Sequence, residues 1–400
     1  MSKWEMIPIP EIVFFQEGPG VRNTQYTTTG VKLLNVANLQ DGKVDLSTSE
    51  RYISEEEAYG KYKHFLVDDG DFIIASSGIQ VDYFEKKMGF IDSSHLPLCM
   101  NTSTIRFKSL DEDKLLLCFF MYYLKTPQFK EQLKRLITGS AQLNFGPSHL
   151  KQMSIPLPPL ETQQKIADVL DRAGALIEKR KAQIEKLDLL IKSQFIEMFG
   201  DIFHGSEKYP KQCIATVSDN NIEKVGKKYD SKDIIKYIDI SSIDNEQNEI
   251  VKYTDYIVEK APSRAQQIVN MGDVLVSTVR PNLKNVAVIR DSYDNLVAST
   301  GFCVLRPSKK INTEYLFAIV RTDGFAEYLA GRAKGANYPA VNSNDIKKFN
   351  IPIPPLLLQT QFADFVNQIE AQKSLLQQTL EKLELNYKSL MQKCFRGDLF

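Results

Sequence analysis

The sequence predicts an α+β protein in which two β-rich domains are joined by two long α-helices that form an antiparallel coiled coil. Three observations predict this fold class. A proline-rich motif and a long charged helix occur twice, about 196 residues apart, short strand-like runs precede each motif, and apolar residues recur every seven positions in each helix. A period of half the chain indicates two copies of a whole domain rather than a solenoid of short repeats.

The repeat extends well upstream of the proline motifs. Gly70–Ser76 aligns with Gly272–Thr278, and Lys32–Leu39 aligns with Lys236–Ile243. Because the spacing of these pairs differs slightly, the copies differ by small loop insertions. We expect the following division: a first domain over 1–154, a proline segment and long helix over 155–200, a second domain over 201–350, and a second proline segment and helix over 351–400.

Within each domain, strands are expected first and helices last. In the first copy the strand-like runs and the helices that follow them are Lys32–Leu39, Phe72–Ala75, Met88–Ile91, Thr104–Phe107, Leu115–Leu124 and Thr126–Ile137. In the second copy the corresponding elements are Ile234–Ile243, Asp273–Val279, Val286–Ile289, Phe302–Leu305 and helices within Thr313–Arg332. Both domains are therefore predicted to be α+β.

The long helices show seven-residue periodicity, which is typical of coiled coils. The residues predicted to pair the helices are Leu170, Ile177, Ile184, Leu187, Ile191, Phe362, Ile369, Leu376, Leu383 and Leu390. A helix of ~35 residues is about 50 Å long, which exceeds the needs of one small core, so each helix requires a partner. The other copy is the expected partner, although packing on the helix's own domain and pairing between molecules remain alternatives.

Each long helix is preceded by an extended proline segment. Pro156, Pro158 and Pro159 hold the backbone extended, so the helix can begin only after the last of them. The matched segment at Pro352, Pro354 and Pro355 repeats this arrangement. Because the segment occurs in both copies, we expect it to set a required angle between domain and helix, and not merely to mark where a helix begins.

Composition limits the classes of function. The chain has 400 residues, 43% of them hydrophobic, and 50 basic residues balance 50 acidic ones, so any nucleic-acid surface must be a local patch. The five scattered cysteines are expected to be idle thiols in a reducing cytoplasm, and the four histidines lack metal-ligand spacing. No signal peptide is expected, and the longest apolar run, Leu115–Leu124, is too short to span a bilayer.

The sequence offers little catalytic chemistry. It has no glycine-rich nucleotide fingerprint, no Walker motif and no proline-proline-aromatic loop of a DNA methyltransferase. Asp71, Glu85 and Lys87 follow the order that metal-dependent nucleases use, but the second copy has Asp273 without the rest of the pattern. A nuclease site therefore stays an alternative to the simpler interpretation, in which Gly70-Asp71 and Gly272-Asp273 are turns into strands.

Polar and basic residues cluster in two places in each copy: after the strand that follows the Gly-Asp turn, and before the proline segment. Such side chains suit base edges and phosphates, so they are candidates for binding DNA. In the first copy they are Ser76, Ser77, Gln80, Lys86, Lys87, Lys134, Arg135, Ser140, Gln142 and Asn144. In the second they are Ser277, Thr278, Arg280, Asn282, Lys284, Asn285, Arg332, Lys334, Asn337 and Tyr338.

The duplicated order of domain, proline segment and long helix resembles the specificity subunit of type I restriction-modification systems over essentially the whole chain. Pro158-Pro159-Leu160-Glu161-Thr162-Gln163 and Pro354-Pro355-Leu356-Leu357-Leu358-Gln359 match the family's Pro-Pro-Leu-x-x-Gln motif. Phe199-Gly200-Asp201 resembles the family's helix end, and Phe395-Arg396-Gly397-Asp398 is a variant of it.

The resemblance implies a non-catalytic subunit of a restriction endonuclease and DNA adenine methyltransferase complex. Each domain would be a target-recognition domain that reads one half of a bipartite site in the major groove of double-stranded DNA, and the helices would set the spacer. The helices would also dock two modification (methyltransferase) subunits, with restriction subunits in the full complex. The chain itself would need no cofactor, since methyl donor, ATP and magnesium would bind the partner subunits. A two-headed adaptor for protein ligands is the alternative from another class.

Overall fold

The computed structural model describes residues 3–79, 81–137, 143–202, 208–245, 247–335 and 339–400, and for 78, 79, 81, 82, 143 and 144 it describes the backbone alone. The chain divides into two compact units. Unit 1 comprises Met1–Arg180 and Thr379–Phe400, and unit 2 comprises Lys181–Gln378. Each unit thus combines one β-rich domain with part of each long helix.

Unit 1 contains two main sheets and several two-stranded ribbons. Its strands are β1 Met6–Pro8, β2 Val13–Glu17, β3 Val31–Leu34, β4 Leu39–Gln40, β5 Lys43–Val44, β6 Tyr52–Ile53, β7 Phe72–Ala75, β8 Ser77–Ile79, β9 Met88–Phe90, β10 Leu98–Met100, β11 Thr104–Ser109, β12 Leu143–Asn144 and β13 Ser154–Pro156. Its helices are α1 Ile9–Ile12, α2 Glu55–Tyr59, α3 Leu117–Leu124, α4 Pro127–Leu136, α5 Pro147–Leu150 and the first half of α6 Leu160–Phe199.

Unit 2 has the corresponding elements. Its strands are β14 Lys211–Cys213, β15 Ser218–Asp219, β16 Ile234–Ile238, β17 Ile243–Asp244, β18 Glu249–Ile250, β19 Thr254–Ile257, β20 Ala265–Ile268, β21 Val274–Ser277, β22 Val286–Val288, β23 Leu296–Ser299, β24 Phe302–Pro307 and β25 Asn350–Pro352. Its helices are α7 Ile214–Val217, α8 Val225–Lys228, α9 Thr313–Val320, α10 Asp323–Ala330, α11 Ser343–Lys347 and the first half of α12 Leu356–Arg396.

Sheet topology repeats between the units. The four-stranded antiparallel sheet β2-β11-β7-β9 of unit 1 corresponds to β15-β24-β21-β22 of unit 2. The second sheet of each unit contains one parallel pair, β10 with β3 in unit 1 and β23 with β16 in unit 2. The internal repeat predicted from the sequence is therefore confirmed in strand order and direction.

Two strand-like runs at matched positions in the copies end well before their predicted last residues. The run Lys32–Leu39 breaks after Leu34, because the side chain of Asn38 turns back to accept a hydrogen bond from the Asn35 backbone N–H at 2.9 Å. A similar cap at Asp239 ends β16, where the Asp239 carboxylate accepts from the Ser242 N–H at 3.1 Å. Local side-chain caps thus replace strand hydrogen bonds at the same place in both copies.

Gln163 anchors the start of α6 to unit 1. Its side chain is fully buried, and its Oε1 accepts a hydrogen bond from the Leu116 N–H at 3.0 Å. Its Nε2 donates to the carbonyls of Lys114 at 2.7 Å and Pro158 at 2.8 Å. The glutamine therefore connects the loop before α3 to the proline segment.

Gln359 repeats this arrangement at the start of α12. It is also fully buried, with Oε1 accepting from the Asn312 N–H at 2.8 Å and Nε2 donating to the Pro354 carbonyl at 2.8 Å. The Pro-Pro-Leu-x-x-Gln motif is therefore a joint between domain and helix, in which prolines exclude helix and the glutamine fixes the loop behind it.

The long helices pack against each other within each unit. In unit 2, Lys373 of α12 pairs with Asp188 of α6 at 2.7 Å, and the rings of Phe195 and Phe362 meet edge to face at 5.5 Å between centroids. Numbers rise along one helix as they fall along the other, so the pairing is antiparallel. In unit 1, Leu170 lies in the same apolar core as the last turns of α12. The predicted fold class is confirmed.

The predicted pairing residues lie along the inner faces of these helices. Those that are buried are Leu170, Ile177, Ile191, Phe362 and Ile369. Those that are half-buried are Ile184, Leu187, Leu376, Leu383 and Leu390. Burial is complete at Leu170 and Phe362, which lie in the first third of α6 and α12.

Each long helix ends in the core of the domain that the other helix leaves. The ring of Phe199, at the end of α6, lies 4.7 Å from that of Tyr315 in unit 2. The ring of Phe395, near the end of α12, lies 5.7 Å from that of Tyr123 in unit 1. Each tyrosine hydroxyl donates to a backbone carbonyl in the strand at the start of a proline segment. Tyr315 donates to the Pro352 carbonyl and Tyr123 to the Ser154 carbonyl, each at 2.8 Å.

The cysteines are free thiols. Burial raises the pKa of Cys303 to about 11 and that of Cys99 to about 12. Across the ranges given above, no helix combines the length and the apolar character needed to cross a bilayer.

Candidate nucleic-acid interface

The two predicted clusters of the second copy lie side by side in unit 2. Val279 forms a β-bridge with Ala340, the Val341 N–H donates to the Thr278 carbonyl at 2.9 Å, and the Arg280 N–H donates to the Pro339 carbonyl at 2.7 Å. Residues 277–285, 332–335 and 339–341 therefore form one surface, which we call loop surface 2. Residues 336–338, with the candidates Asn337 and Tyr338, lie outside the described residues.

The backbone of loop surface 2 has an unusual conformation. Arg280 and Lys284 both adopt the left-handed region, with φ of 48° and 50°, on either side of a short 3-10 turn, Pro281–Leu283. Such a conformation costs a non-glycine residue on the order of 1 kcal/mol, and it persists only where surrounding contacts impose it. Arg280 and Asn282, which lie in this turn, are exposed.

Some candidates of the second copy stabilise the loop from within. Ser277 is buried, and its hydroxyl donates to the Val279 carbonyl at 2.9 Å. The Thr278 hydroxyl donates to the Gly301 carbonyl at 2.9 Å. Lys284 forms an ion pair with Asp323 at the start of α10. These side chains shape the surface rather than extend from it.

Other candidates of the second copy lie further out. The Arg332 guanidinium stacks on the Tyr328 ring at 3.6 Å from the centroid, and Lys334 is exposed. Asn285 is half-buried, and its carbonyl accepts from the Ser277 N–H at 2.9 Å. Loop surface 2 therefore combines exposed cations with a stacked guanidinium, groups that can contact phosphates and base edges.

In unit 1 the two clusters are joined by a strand pair. β8 pairs with β12 in antiparallel register, with Ser77 opposite Asn144, and the Phe145 N–H donates to the Ser76 carbonyl at 3.0 Å. We call residues 76–79 and 81–87 together with 134–137 and 143–145 loop surface 1. Gln80, Ser140 and Gln142 lie outside the described residues, and of Asn144 only the backbone is described.

The candidates of the first copy also divide between inner and outer positions. Ser76 is buried and its hydroxyl donates to Glu17 at 3.3 Å, whereas Ser77 and Lys87 are half-buried. The exposed cations are Lys86 and, in the last turn of α4, Lys134 and Arg135. Both units thus bring two distant clusters together and leave cations at the rim.

A third segment, which the polar clusters in the sequence do not indicate, completes each surface. The Ser103 carbonyl accepts from the Ser76 N–H at 2.8 Å in unit 1, and the Gly301 carbonyl accepts from the Thr278 N–H at 2.9 Å in unit 2. A side chain at Gly18 would place its Cβ 2.0 Å from the Asn101 carbonyl oxygen, so this glycine allows the close approach of the 101–103 segment. In the sequence, Gly18-Pro19-Gly20 was the feature that could have indicated such a close backbone contact in unit 1.

Asp71 and Asp273 have the same structural role in the two units. Asp71 accepts from the Asp68 N–H at 2.8 Å and pairs with Arg106, whereas Asp273 accepts from the Asn270 N–H at 2.8 Å and pairs with Arg306 at 2.7 Å. The hydrogen bond to Asp273 raises the pKa of the Arg306 guanidinium. The Gly-Asp motif is thus a turn whose carboxylate is neutralised by the neighbouring strand.

The nuclease alternative finds little support in this geometry. Asp71 is buried against its arginine, and Glu85 pairs with Lys130 at 2.9 Å. In the described part of the chain, no group of three histidine, cysteine, aspartate or glutamate side chains is arranged to hold a metal ion.

The fold and its two loop surfaces define a class of protein: a duplicated recognition protein that presents two related, non-identical surfaces on a shared helical frame. The family described as type I restriction modification DNA specificity domain matches residues 1–186 and 206–385. The chain belongs to this family and carries two copies of its domain. Its role is that of a non-catalytic specificity subunit of a type I restriction-modification system.

Known specificity subunits resemble the chain in sequence. The MjaVIII subunit of Methanocaldococcus jannaschii is 30% identical over 188 residues, which cover 46% of this chain and 43% of that protein. The putative MjaX subunit of the same organism is 23% identical over 416 residues, 99% of this chain and 93% of that protein. The EcoKI subunit of Escherichia coli K12 is 21% identical over 393 residues, 92% and 82% of the two chains.

Two solved structures show the same fold. A chain from a study of complex assembly and conformational transition of the type I R-M system superposes with a TM-score of 0.57 at 17% identity, over 99% of this chain and 98% of that one. The S subunit from M. genitalium superposes with a TM-score of 0.55 at 16% identity, over 98% and 96% of the two chains.

Proposed function

We propose that loop surfaces 1 and 2 each read one half of a bipartite site in double-stranded DNA, through the major groove. The domains that carry them, 1–154 and 201–350, are the target-recognition domains. The observation that carries the proposal is that two separate polar clusters in each copy are joined into one surface, by β8 and β12 in unit 1 and by the Val279–Ala340 bridge in unit 2.

Electrostatics support recognition by local patches. The formal net charge is +0, so the chain as a whole does not attract a polyanion. Exposed cations at the two surfaces, among them Lys86 and Arg135 in unit 1 and Arg280 and Lys334 in unit 2, would supply the phosphate contacts. Binding of each half alone would be modest, and linking the halves multiplies the two affinities.

The helices that connect the units set the number of base pairs between the half-sites. They also dock two methyltransferase subunits, and apolar side chains that remain exposed on them, such as Leu176, Leu189 and Ile196, support this role. The partner subunits, including restriction subunits in the full complex, bind methyl donor, ATP and magnesium. The complex works in the cytoplasm, where cellular DNA is accessible to it.

The test uses the chain co-expressed with its methyltransferase subunits in a host, followed by genome-wide mapping of modified adenines. The wild-type complex is expected to modify one asymmetric, two-part motif. Arg280→Ala should relax or weaken the half of the motif read by unit 2 and leave the other half unchanged, because only one loop surface loses a contact.

Lys309→Ala is the matched control. β24 begins directly after Gly301, which contacts loop surface 2, and its six residues span about 20 Å. Lys309 is exposed just beyond the other end of this strand, away from loop surface 2. This variant should keep the wild-type motif. A complex that modifies DNA without a two-part motif, or an Arg280→Ala variant that behaves like Lys309→Ala, would refute the proposal. A salt-independent interaction with DNA would favour the adaptor alternative.

A further inference from the structure

A hairpin outside the predicted clusters braces loop surface 2. It consists of β17 and β18, and the tip between them carries Asn245 and Asn248. β18 lies against β22, the strand that immediately follows the 280–285 loop. The hairpin is therefore placed to fix how that loop leaves the sheet.

Side-chain amides make the contact. The Asn248 Nδ2 donates to the Lys284 carbonyl at 3.0 Å, and the Asn245 Nδ2 donates to the Leu283 carbonyl at 3.2 Å. The Asn248 Oδ1 accepts from the Arg321 Nε at 2.9 Å, which fixes the orientation of the amide. Both polar ends of Asn248 are thus used, and its donor points at the loop.

Unit 1 has the same brace made by the main chain. Its hairpin of β4 and β5 lies against β9, and the Gly42 N–H at the tip donates to the Lys86 carbonyl at 3.3 Å. A side chain at Gly89 would come within 2.9 Å of the Lys43 carbonyl carbon, so the hairpin packs directly on the strand after the loop. The recurrence in both copies indicates that the contact belongs to the recognition architecture.

The brace acts where the loop is strained. Lys284, whose carbonyl is held by Asn248, is one of the two left-handed residues that turn Arg280 and Asn282 outward. Left-handed non-glycine residues persist when surrounding contacts over-determine them. We propose that Asn248 is a positioning residue for DNA recognition by unit 2, holding loop 280–285 in the conformation that reads bases. This inference rests on the proposed function.

The test is Asn248→Asp in the complex with methyltransferase subunits. Aspartate has the same shape, tolerates the left-handed backbone of Asn248 (φ 57°) and keeps the acceptor for Arg321, but it turns the donor facing the Lys284 carbonyl into an acceptor. The substitution removes this bond and also the bond from the same Nδ2 to the Asn245 carbonyl at 3.2 Å within the hairpin. Loss of the contact with the loop should reduce discrimination between the cognate unit 2 half-site and single-base variants by at least about five-fold. Discrimination at the unit 1 half-site should not change.

Asn295→Asp is the matched control, because its amide also donates to a backbone carbonyl, that of Ile234 at 2.9 Å, away from the loop. Asn245→Asp is a second variant, to be used if Asn248→Asp lowers the amount of folded protein. It should give a smaller loss of discrimination at the unit 2 half-site. Unchanged discrimination in a folded Asn248→Asp or Asn245→Asp variant, or equal losses at both half-sites, would overturn the inference. Absence of a two-part motif with the wild-type chain would instead overturn the proposed function.

Discussion

Replacing Gln359 with leucine should strongly destabilise unit 2, because the side chain is fully buried and its amide makes hydrogen bonds to the backbone of two segments. Leucine has a similar volume and favours helix, so neither a large cavity nor a propensity change confuses the result. The substitution removes the amide that accepts from the Asn312 N–H and donates to the Pro354 carbonyl. Both backbone groups then lose their side-chain partner.

The magnitude follows from burial. Gln359 has no exposed surface, so water cannot easily replace the lost bonds. Each buried polar group left without a partner costs about 1 to 3 kcal/mol, and the apolar side chain recovers part of this by burial. We expect a net loss of about 3 kcal/mol in the free energy of unfolding. For a unit of this size, that corresponds to a decrease in Tm of about 6 to 12 °C.

The measurement is urea and thermal unfolding of the full chain, followed by circular dichroism, with Gln361→Leu as control. Gln361 lies two residues further along the same helix and is exposed, so its replacement should change stability by less than about 0.5 kcal/mol. Hydrogen exchange at Asn312 adds a local readout, since its N–H should lose protection in the Gln359 variant alone.

A Gln359→Leu variant as stable as Gln361→Leu would refute the reasoning. It would mean that the proline segment and the apolar contacts of α12 hold the helix start without the glutamine. Gln163→Leu provides an independent repeat in unit 1, because Gln163 makes the matching bonds to Leu116 and Pro158.

Three further predictions concern charge and length. Asp273→Asn should lower the free energy of unfolding by about 3 kcal/mol, because Arg306 keeps a partly buried charge without a counter-ion. Asp255→Asn, which breaks an exposed ion pair with Lys236, is the control and should cost under about 1 kcal/mol. Burial raises the pKa of Glu370, so the folded state keeps the proton to higher pH and stability falls as pH rises above the ordinary value of 4.5. Glu370→Gln should therefore be more stable than wild type in urea unfolding at neutral pH, and the advantage should disappear below about pH 4; a constant difference would contradict this. Insertion of one or two helical turns at Lys179–Gln183, with the same insertion at 375–379, should lengthen the spacer in the modified motif without changing its half-sites. A fixed spacer with altered half-sites would contradict the proposal that the helices set the spacer.

Much of the fold was predictable because its signals are local or periodic. The heptads of Phe362, Ile369 and Leu376 predict a long paired helix, and the Gly-Asp motif predicts the turn before β7 and β21. The strand runs were placed correctly in order but were too long where Asn38 and Asp239 cap the chain. A cap depends on a side-chain rotamer, which periodicity does not contain.

The candidate site was predictable as two clusters in each copy, but not as a surface. Ser277 is turned inward, where its hydroxyl bonds the Val279 carbonyl, whereas Arg280 is turned outward. This difference accompanies a left-handed backbone at Arg280 and Lys284, which the residue types do not indicate. The joining of Thr278 to Val341 depends on hydrogen bonds between segments more than sixty residues apart. Neither follows from residue type.

The sequence by itself determined the duplication, the two long helices and the family. These depend on the order of repeated motifs and on the spacing of apolar residues, which are properties of the linear chain. Only the tertiary structure decided which polar residues serve the loops and which face outward, and that Gln163 and Gln359 fasten each helix to its domain. The physical reason is that a buried hydrogen bond requires a donor and an acceptor from distant segments at about 3 Å, and only folding brings such segments together.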